Sequence, residues 1–191
     1  MLDPLSQKIY GFALKKLGAN DIPEKKLQEK LEEKFIKNQK KYTQYNEYDP
    51  NKNQEILDKI SEIITLLKSQ KYLDDIRFCE NFIRWRKETM PRGKYMIIQE
   101  LILKKIDEVT ATQQCEKHIS DQDEYEMCNI LFQQKKDKLL LKYHTKEYTT
   151  PQNKELTEYE IQQIMKQKIF AFLRGKQFPY SLMTEIWEKQ K

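Results

Sequence analysis

The sequence has few of the residues on which catalytic and phosphate-binding sites usually depend. Among its 191 residues there are 2 His, 3 Cys and 4 Gly, and the glycines stand singly at Gly11, Gly18, Gly93 and Gly175. Isolated glycines exclude a glycine-rich phosphate-binding loop. No serine or cysteine stands in a recognisable activating context. We therefore expect no catalytic residue, no cofactor and a protein that is not an enzyme.

Long apolar runs are also missing, since no segment approaches the roughly 18 residues of a membrane span. The first residues carry Asp3 and no apolar signal region, which does not resemble a secretory signal. The cysteines, Cys79, Cys115 and Cys128, are odd in number and lie in helical patterns. Free thiols in a reducing cytoplasm are the expected state, with no membrane association.

The most metal-like segment is CEKHISDQD, with Cys115, His118, Asp121 and Asp123. A zinc site needs four ligands that converge at about 2.0–2.3 Å from the metal. Here the residues straddle an expected helix boundary, and no second Cys/His pair completes the set. We predict a capped helix junction at this position and no metal site.

The most abundant residue types favour α-helix. Charged residues make up 34% of the chain, and straight-chain Lys, Glu, Gln and Leu lose little side-chain freedom in a helix. With 38% hydrophobic residues, including 8 Phe and 11 Tyr, there is enough apolar surface for a core.

Apolar periodicity predicts about nine helices and no strand. Two long polar loops are expected, at 38–53 and 144–156. Weak similarity between aromatic helix pairs predicts tandem three-helix repeats, with boundaries at 1–70, 71–119 and 120–191. The helices with the clearest ends are Asp3-Pro4 to Gly18, Pro23 to Phe35, Asp107 to Lys117, Asp121 to Lys142 and Thr157 to Arg174.

The stretch YLDDIRFCENFIRWR combines helix-start signals with two different helix faces. Asp74 is expected to cap the helix, and Asp75 in its first turn suits the positive end of the helix dipole. Phe78, Phe82 and Trp85 recur at helical spacing and are predicted to lie in the core.

Charge is unevenly distributed along the chain. Residues 71–105 carry nine Lys/Arg against five Asp/Glu, a net of +4. Residues 107–127 carry seven acids and one Lys, a net of −6, and residues 135–146 again have a net of +4, from five Lys and one Asp. This order predicts a polarised surface, although any single run also fits an ordinary solvated face.

Scarce arginine is concentrated in one place. Four of the five arginines, Arg77, Arg84, Arg86 and Arg92, lie within 16 residues, and the fifth is Arg174. The planar guanidinium suits phosphates and carboxylates, so this helix could meet nucleic acid or an acidic protein groove. Local ion pairing with Glu80 is the alternative for the first two.

The motifs around this helix resemble the RecX family of recombination regulators. The family pattern matches Lys71–Asp75, Arg77–Phe78 and Phe82–Arg86, then Gly93 with the Ile-x-x-Glu-Leu of 97–101, and finally 172–178 near the C-terminus. The chain departs from the pattern at Lys104-Lys105-Ile106, where the family has Lys-Gly-Ile. It departs again at Lys176-Gln177, where the family has Arg-Gly.

The resemblance implies an elongated, curved array of three-helix repeats that lies in the groove of a RecA filament on single-stranded DNA. Such a protein is a monomer that restrains the recombinase, ATPase and coprotease activities of RecA in DNA repair and the SOS response, with weak direct binding to DNA. The expected partner contacts are Arg77, Arg84, Arg86, Lys87, Arg92, Lys94, Lys104, Lys105, Arg174 and Lys176. Residues expected to hold the motif are Asp74, Asp75, Phe78, Phe82, Trp85, Gly93 and Leu101.

Among the contacts, Arg86, Lys87, Arg92 and Lys94 are favoured, and the arginines are expected to face outward. A helical protein that binds single-stranded DNA directly is the alternative function. It predicts tight binding to naked strands that weakens steeply with salt.

Overall fold

The computed structural model describes residues 2–19, 21–37, 50–144 and 157–190, which form nine helices and no strand. The all-α prediction is confirmed for these residues. The helices are α1 (Pro4–Ala19), α2 (Glu24–Glu32), α3 (Pro50–Ser69), α4 (Asp75–Thr89), α5 (Lys94–Leu103), α6 (Glu108–His118), α7 (Asp121–His144), α8 (Glu158–Arg174) and α9 (Tyr180–Glu188).

Helix starts follow local capping chemistry. The Asp3 carboxylate accepts hydrogen bonds from the backbone N–H groups of Leu5 and Ser6, at 3.0 and 3.2 Å. Thr157 and Glu160 form a reciprocal capping box at the start of α8. Each cap satisfies backbone donors that have no partner within the helix, which explains why both starts were predictable.

The two predicted polar loops, 38–53 and 144–156, lie largely outside the described residues. The prediction of a loop over 38–53 is wrong for 50–53, because α3 begins at Pro50. Proline is compatible with the first turn of a helix, where its missing N–H has no role. Residues 38–49 and 145–156 lie outside the described residues.

The chain divides into two compact units. The first contains Met1–Asn81 and Leu101–Ala111, and the second contains Phe82–Glu100 and Thr112–Lys191. The unit boundaries fall inside α4, α5 and α6, so they differ from the expected repeat boundaries. The three-repeat division stays a prediction. No helix within the described ranges is long and apolar enough to cross a membrane.

In the first unit, α1, α2 and α3 pack around an aliphatic core. Its fully buried members are Ile9, Ala13, Leu27, Leu31 and Leu67. A π-helical turn, Glu33–Lys37, continues α2, and its Phe35 ring meets the edge of Phe12 at 5.9 Å between centroids. The last part of the helix predicted from Pro23 to Phe35 is thus π-helical.

In the second unit, α7, α8 and α9 pack against one another. Phe132 and Ile169 are fully buried between them. The Trp187 ring makes edge contacts with Phe132 and Phe170, at 6.1 and 6.3 Å between centroids. This aromatic cluster stabilises the packing of the three helices.

Three helices end in the same type of turn, and each turn has a non-glycine residue in the left-handed region of backbone conformation. Lys71, Lys105 and Gln177 have φ of 61°, 78° and 59°. In each turn the N–H of the next residue donates to a carbonyl five positions earlier, as from Tyr72 to the Leu67 carbonyl at 3.0 Å. This is the Schellman motif, which usually uses glycine. Lys105 and Gln177 stand where the family pattern has glycine. Both therefore keep the left-handed backbone conformation that glycine usually adopts in this turn.

Candidate functional site on helix α4 and the turn after it

The paired aspartates at the start of α4 act on two different helices. Asp74 caps α4, accepting from the Arg77 N–H at 3.0 Å. Asp75 instead accepts from the Glu24 N–H at 2.8 Å, so it caps α2 in the first unit. Burial raises the pKa of the Asp75 carboxyl above its ordinary value. Asp75 lies in the first turn of α4, as predicted, and the sequence pattern did not show that its carboxylate also caps α2.

The apolar face of α4 is shorter than the periodicity predicted. Phe78 and Phe82 are buried, whereas Trp85 is 43% exposed. The expectation that Trp85 lies in the core is therefore wrong. The Arg86 guanidinium lies 4.5 Å from the Trp85 ring centroid, which is a cation–π arrangement.

The arginines of α4 do not all face outward, contrary to expectation. Arg77 and Arg84 are exposed. The Arg77 guanidinium donates to the Lys71 carbonyl at 3.2 Å, beyond the end of α3. The side chain of Arg86, by contrast, is 12% exposed.

Arg86 and Arg92 lie on either side of Glu100, in the second unit. Arg86 Nε is 2.6 Å from Glu100 Oε2, and Arg92 Nε is 3.9 Å from Oε1. Among the described residues, Arg86 Nε, Arg86 Nη1, Arg92 Nε and Glu100 Oε2 are buried without a hydrogen-bond partner. The contacts are thus ionic, with no aligned hydrogen bond. Desolvation and the two arginines lower the pKa of nearby Lys176.

Lys87 and Lys94 each form an ion pair with the acidic segment, residues 107–127. Lys87 Nζ is 2.6 Å from Asp123 and donates to the His118 carbonyl at 3.2 Å. This contact, with that of Ser120, lowers the pKa of Asp123 to about 2. Lys94 Nζ lies 3.6 Å from Asp121. The run of acids, whose role the pattern left open, partly neutralises the basic turn.

The remaining predicted residues fall in several environments. Leu101 is fully buried, and Lys105 pairs with Glu29 at 3.0 Å in the first unit. Arg174 is exposed, while Lys104 is half-buried. The structure thus gathers Arg86, Lys87, Arg92, Lys94 and Lys176 in one unit, whereas Arg77, Lys104 and Lys105 belong to the other.

The segment considered for a metal site has other roles. Within the described residues, no group of three or more His, Cys, Asp or Glu side chains is arranged to hold a metal ion. Cys115 is buried, and that burial raises its thiol pKa to about 12. Asp123 belongs to the Lys87 ion pair and the cap at Ser120.

Comparison with known proteins finds similarity to RecX proteins. Residues 74–113 match the family model described as RecX, second three-helix domain. The regulatory protein RecX of Oceanobacillus iheyensis is 41% identical over 59 residues, which are 31% of this chain and 22% of that protein. The alignment therefore spans about a fifth of the relative's length.

Two crystal structures share the fold. RecX from Lactobacillus salivarius superposes with a TM-score of 0.68 and 22% identity, covering 98% of this chain and 97% of that one. A structure of regulatory protein RecX gives 0.63 and 19% identity, covering 96% and 72%. At these identities the likeness shows the fold alone, and it extends over nearly the whole chain.

Proposed function

We propose that the chain is a member of the RecX family, which the family-model match over 74–113 and the local similarity to a RecX protein support. We further propose that it regulates homologous recombination by binding RecA and RecA filaments on single-stranded DNA. It inhibits the recombinase, ATPase and coprotease activities of RecA without catalysing a reaction. The observation that carries this proposal is the motif series on α4 and α5, which coincides with the matched family model over 74–113.

The outer face of α4 is our proposed contact surface. Arg84 and Trp85 are neighbours in sequence, and both are exposed. Arginine and tryptophan are the residue types most enriched among energetically dominant interface contacts. The Arg86 guanidinium stacked on the indole restricts its motion, which reduces the entropy lost on binding.

Among the expected contact residues, this proposal favours the exposed arginines over the half-buried ones. Arg86 and Arg92 have side chains that are 12% and 15% exposed and face Glu100. We propose that they organise the surface. Exposed Arg84 and Arg174 are better placed to reach a partner. The other expected contact residues remain part of the proposal.

The test is RecA's ATP hydrolysis on single-stranded DNA, with this protein titrated far below the amount that could coat the DNA. Loss of hydrolysis at such ratios supports action on the filament. An effect that appears only at coating amounts would favour the alternative of direct DNA binding and would count against the proposal.

The contact surface is tested with Arg84→Glu and Trp85→Ala. Each should weaken inhibition about tenfold or more, as expected for a dominant interface residue. The matched control is Lys25→Glu, a charge reversal at an exposed position of α2. Equal inhibition by the α4 variants and the control would remove α4 from the interface, while leaving RecA regulation itself intact.

A further inference from the structure

One cluster of charged side chains in the second unit holds more positive than negative charge. The charged groups that act on Lys176 are Arg92, Arg86 and Glu100. Together these four side chains carry three positive charges and one negative charge, a surplus of two. Buried donors without partners, Arg86 Nη1 and Arg92 Nε, lie in the same cluster. Such an arrangement costs folding free energy unless an anion compensates it.

A cavity of about 260 Å³ opens beside this cluster. Its lining combines apolar and charged groups, and its charged members are Lys87, Glu88, Arg92 and Lys176, three cations against one carboxylate. Lys87 is already paired with Asp123. The apolar wall includes Met90, Pro91, Ile130 and Phe172. Met90 and Ile130 are nearly half exposed.

We propose that this cavity is a docking site for an acidic side chain on a protein partner. The partner's carboxylate would lie between Arg92 and Lys176. An adjacent aliphatic side chain of the partner would cover Met90 and Ile130. The site would thereby gain a second carboxylate besides that of Glu88, which would reduce its excess of positive charge. This inference does not depend on which protein the partner is.

The chemistry of the cavity favours a carboxylate over a nucleic-acid backbone. A nucleic acid needs cations spaced along a track, because it presents one phosphate after another. Here two cations converge on one apolar cavity, and neighbouring Lys87 and Lys94 already have Asp123 and Asp121 as partners. A planar guanidinium also matches a carboxylate in shape and hydrogen-bonding pattern.

The experiment uses the full chain, labelled with nitrogen isotope for NMR, and two capped tripeptides, Leu-Glu-Leu and Leu-Gln-Leu. The Arg92 Nε–Hε signal is followed during titration at constant ionic strength. The glutamate peptide should shift this signal in a saturable way, and the glutamine peptide should bind about tenfold more weakly, because it lacks the charge.

Lys176→Gln and Lys135→Gln form a matched pair of variants. Both lysines lie over the Phe172 ring, at 5.6 and 5.3 Å, but Lys176 lines the cavity and Lys135 does not. Lys176→Gln should weaken glutamate-peptide binding about tenfold while raising the melting temperature of the free protein, because it removes a repelled charge. Lys135→Gln should leave peptide binding unchanged.

Three results would each overturn the proposal. Equal binding of the two peptides would mean that the cavity does not recognise the carboxylate. Equal losses in the two variants would indicate a general positive potential. Competition by oligothymidylate at lower concentration than the glutamate peptide, with steep salt dependence, would assign the cavity to nucleic acid. If Lys176→Gln does not fold, Arg92→Lys tests the same prediction with the charge retained and the planar fork removed.

Discussion

Gly93 lies directly against the backbone of Gln177, so that a Cβ at this position would overlap the Gln177 carbonyl oxygen. The Gly93 N–H also donates to the Lys176 carbonyl at 2.9 Å. The turn before α5 and the turn after α8 therefore meet through main-chain atoms. This close approach gives a physical reason for glycine at position 93.

Gly93→Ala is expected to destabilise the protein by about 3 kcal/mol, because neither main-chain segment can move away without disturbing its helix. Urea unfolding followed by circular dichroism measures the change. The control is Gly11→Ala in α1, where nothing lies within 4 Å of the added Cβ. That variant should gain up to about 1 kcal/mol, since glycine is unfavourable inside a helix. Similar values for the two variants would contradict the contact.

Lys71→Gly should stabilise the protein by about 1 kcal/mol. Lys71 has a φ of 61°, which is costly for a residue with a Cβ and nearly free for glycine. Thermal unfolding of Lys71→Gly and Lys71→Ala separates this effect from loss of the side chain. The alanine variant should show no gain, and a matching gain in both would assign the effect to removal of the lysine charge.

Asp75→Ala should cost about 1–2 kcal/mol, because the Glu24 N–H at the start of α2 loses its acceptor. Asp75→Asn keeps an acceptor oxygen and should cost less. Since the folded-state pKa of Asp75 is raised, its ionisation opposes folding as the pH rises through that pKa. The Asn variant should therefore lose least, relative to wild type, at neutral pH. A larger loss there than at pH below about 4 would contradict this assignment.

Acidification should weaken the second unit through Asp123. Its pKa falls from 3.8 to about 2 on folding, so its contribution is complete above the ordinary value and is lost as the pH falls toward 2. Because the ion pair is partly solvated, we expect about 1 kcal/mol. Asp123→Asn should lose this much at neutral pH and show a flatter stability profile between about pH 4 and 2. If the stability profile of Asp123→Asn matches that of the wild type, the loss of stability at low pH does not come from Asp123.

Much of the candidate site was predictable from local pattern. Asp74 as the cap of α4, and Phe78 and Phe82 as its buried face, follow from capping chemistry and helical spacing. The exposure of Trp85 was not predictable, because a stripe shows which residues share a helix face and does not show where the neighbouring helix ends. The position of Arg86 did give one indication of the local packing. Arg86 follows Phe82 by four residues, a spacing that allows the observed stacking of its guanidinium on the Phe82 ring, at 5.3 Å from the ring centroid.

The sequence by itself determined the helical class and most helix ends, because caps and apolar periodicity are local properties of the chain. Only the tertiary structure decided which partner each charged group found. Asp75 reaches Glu24 across 51 positions, and Lys87 reaches the carbonyl of His118 across 31. Contacts at such separations depend on how the helices pack, and one sequence viewed along its length contains no distance between helices.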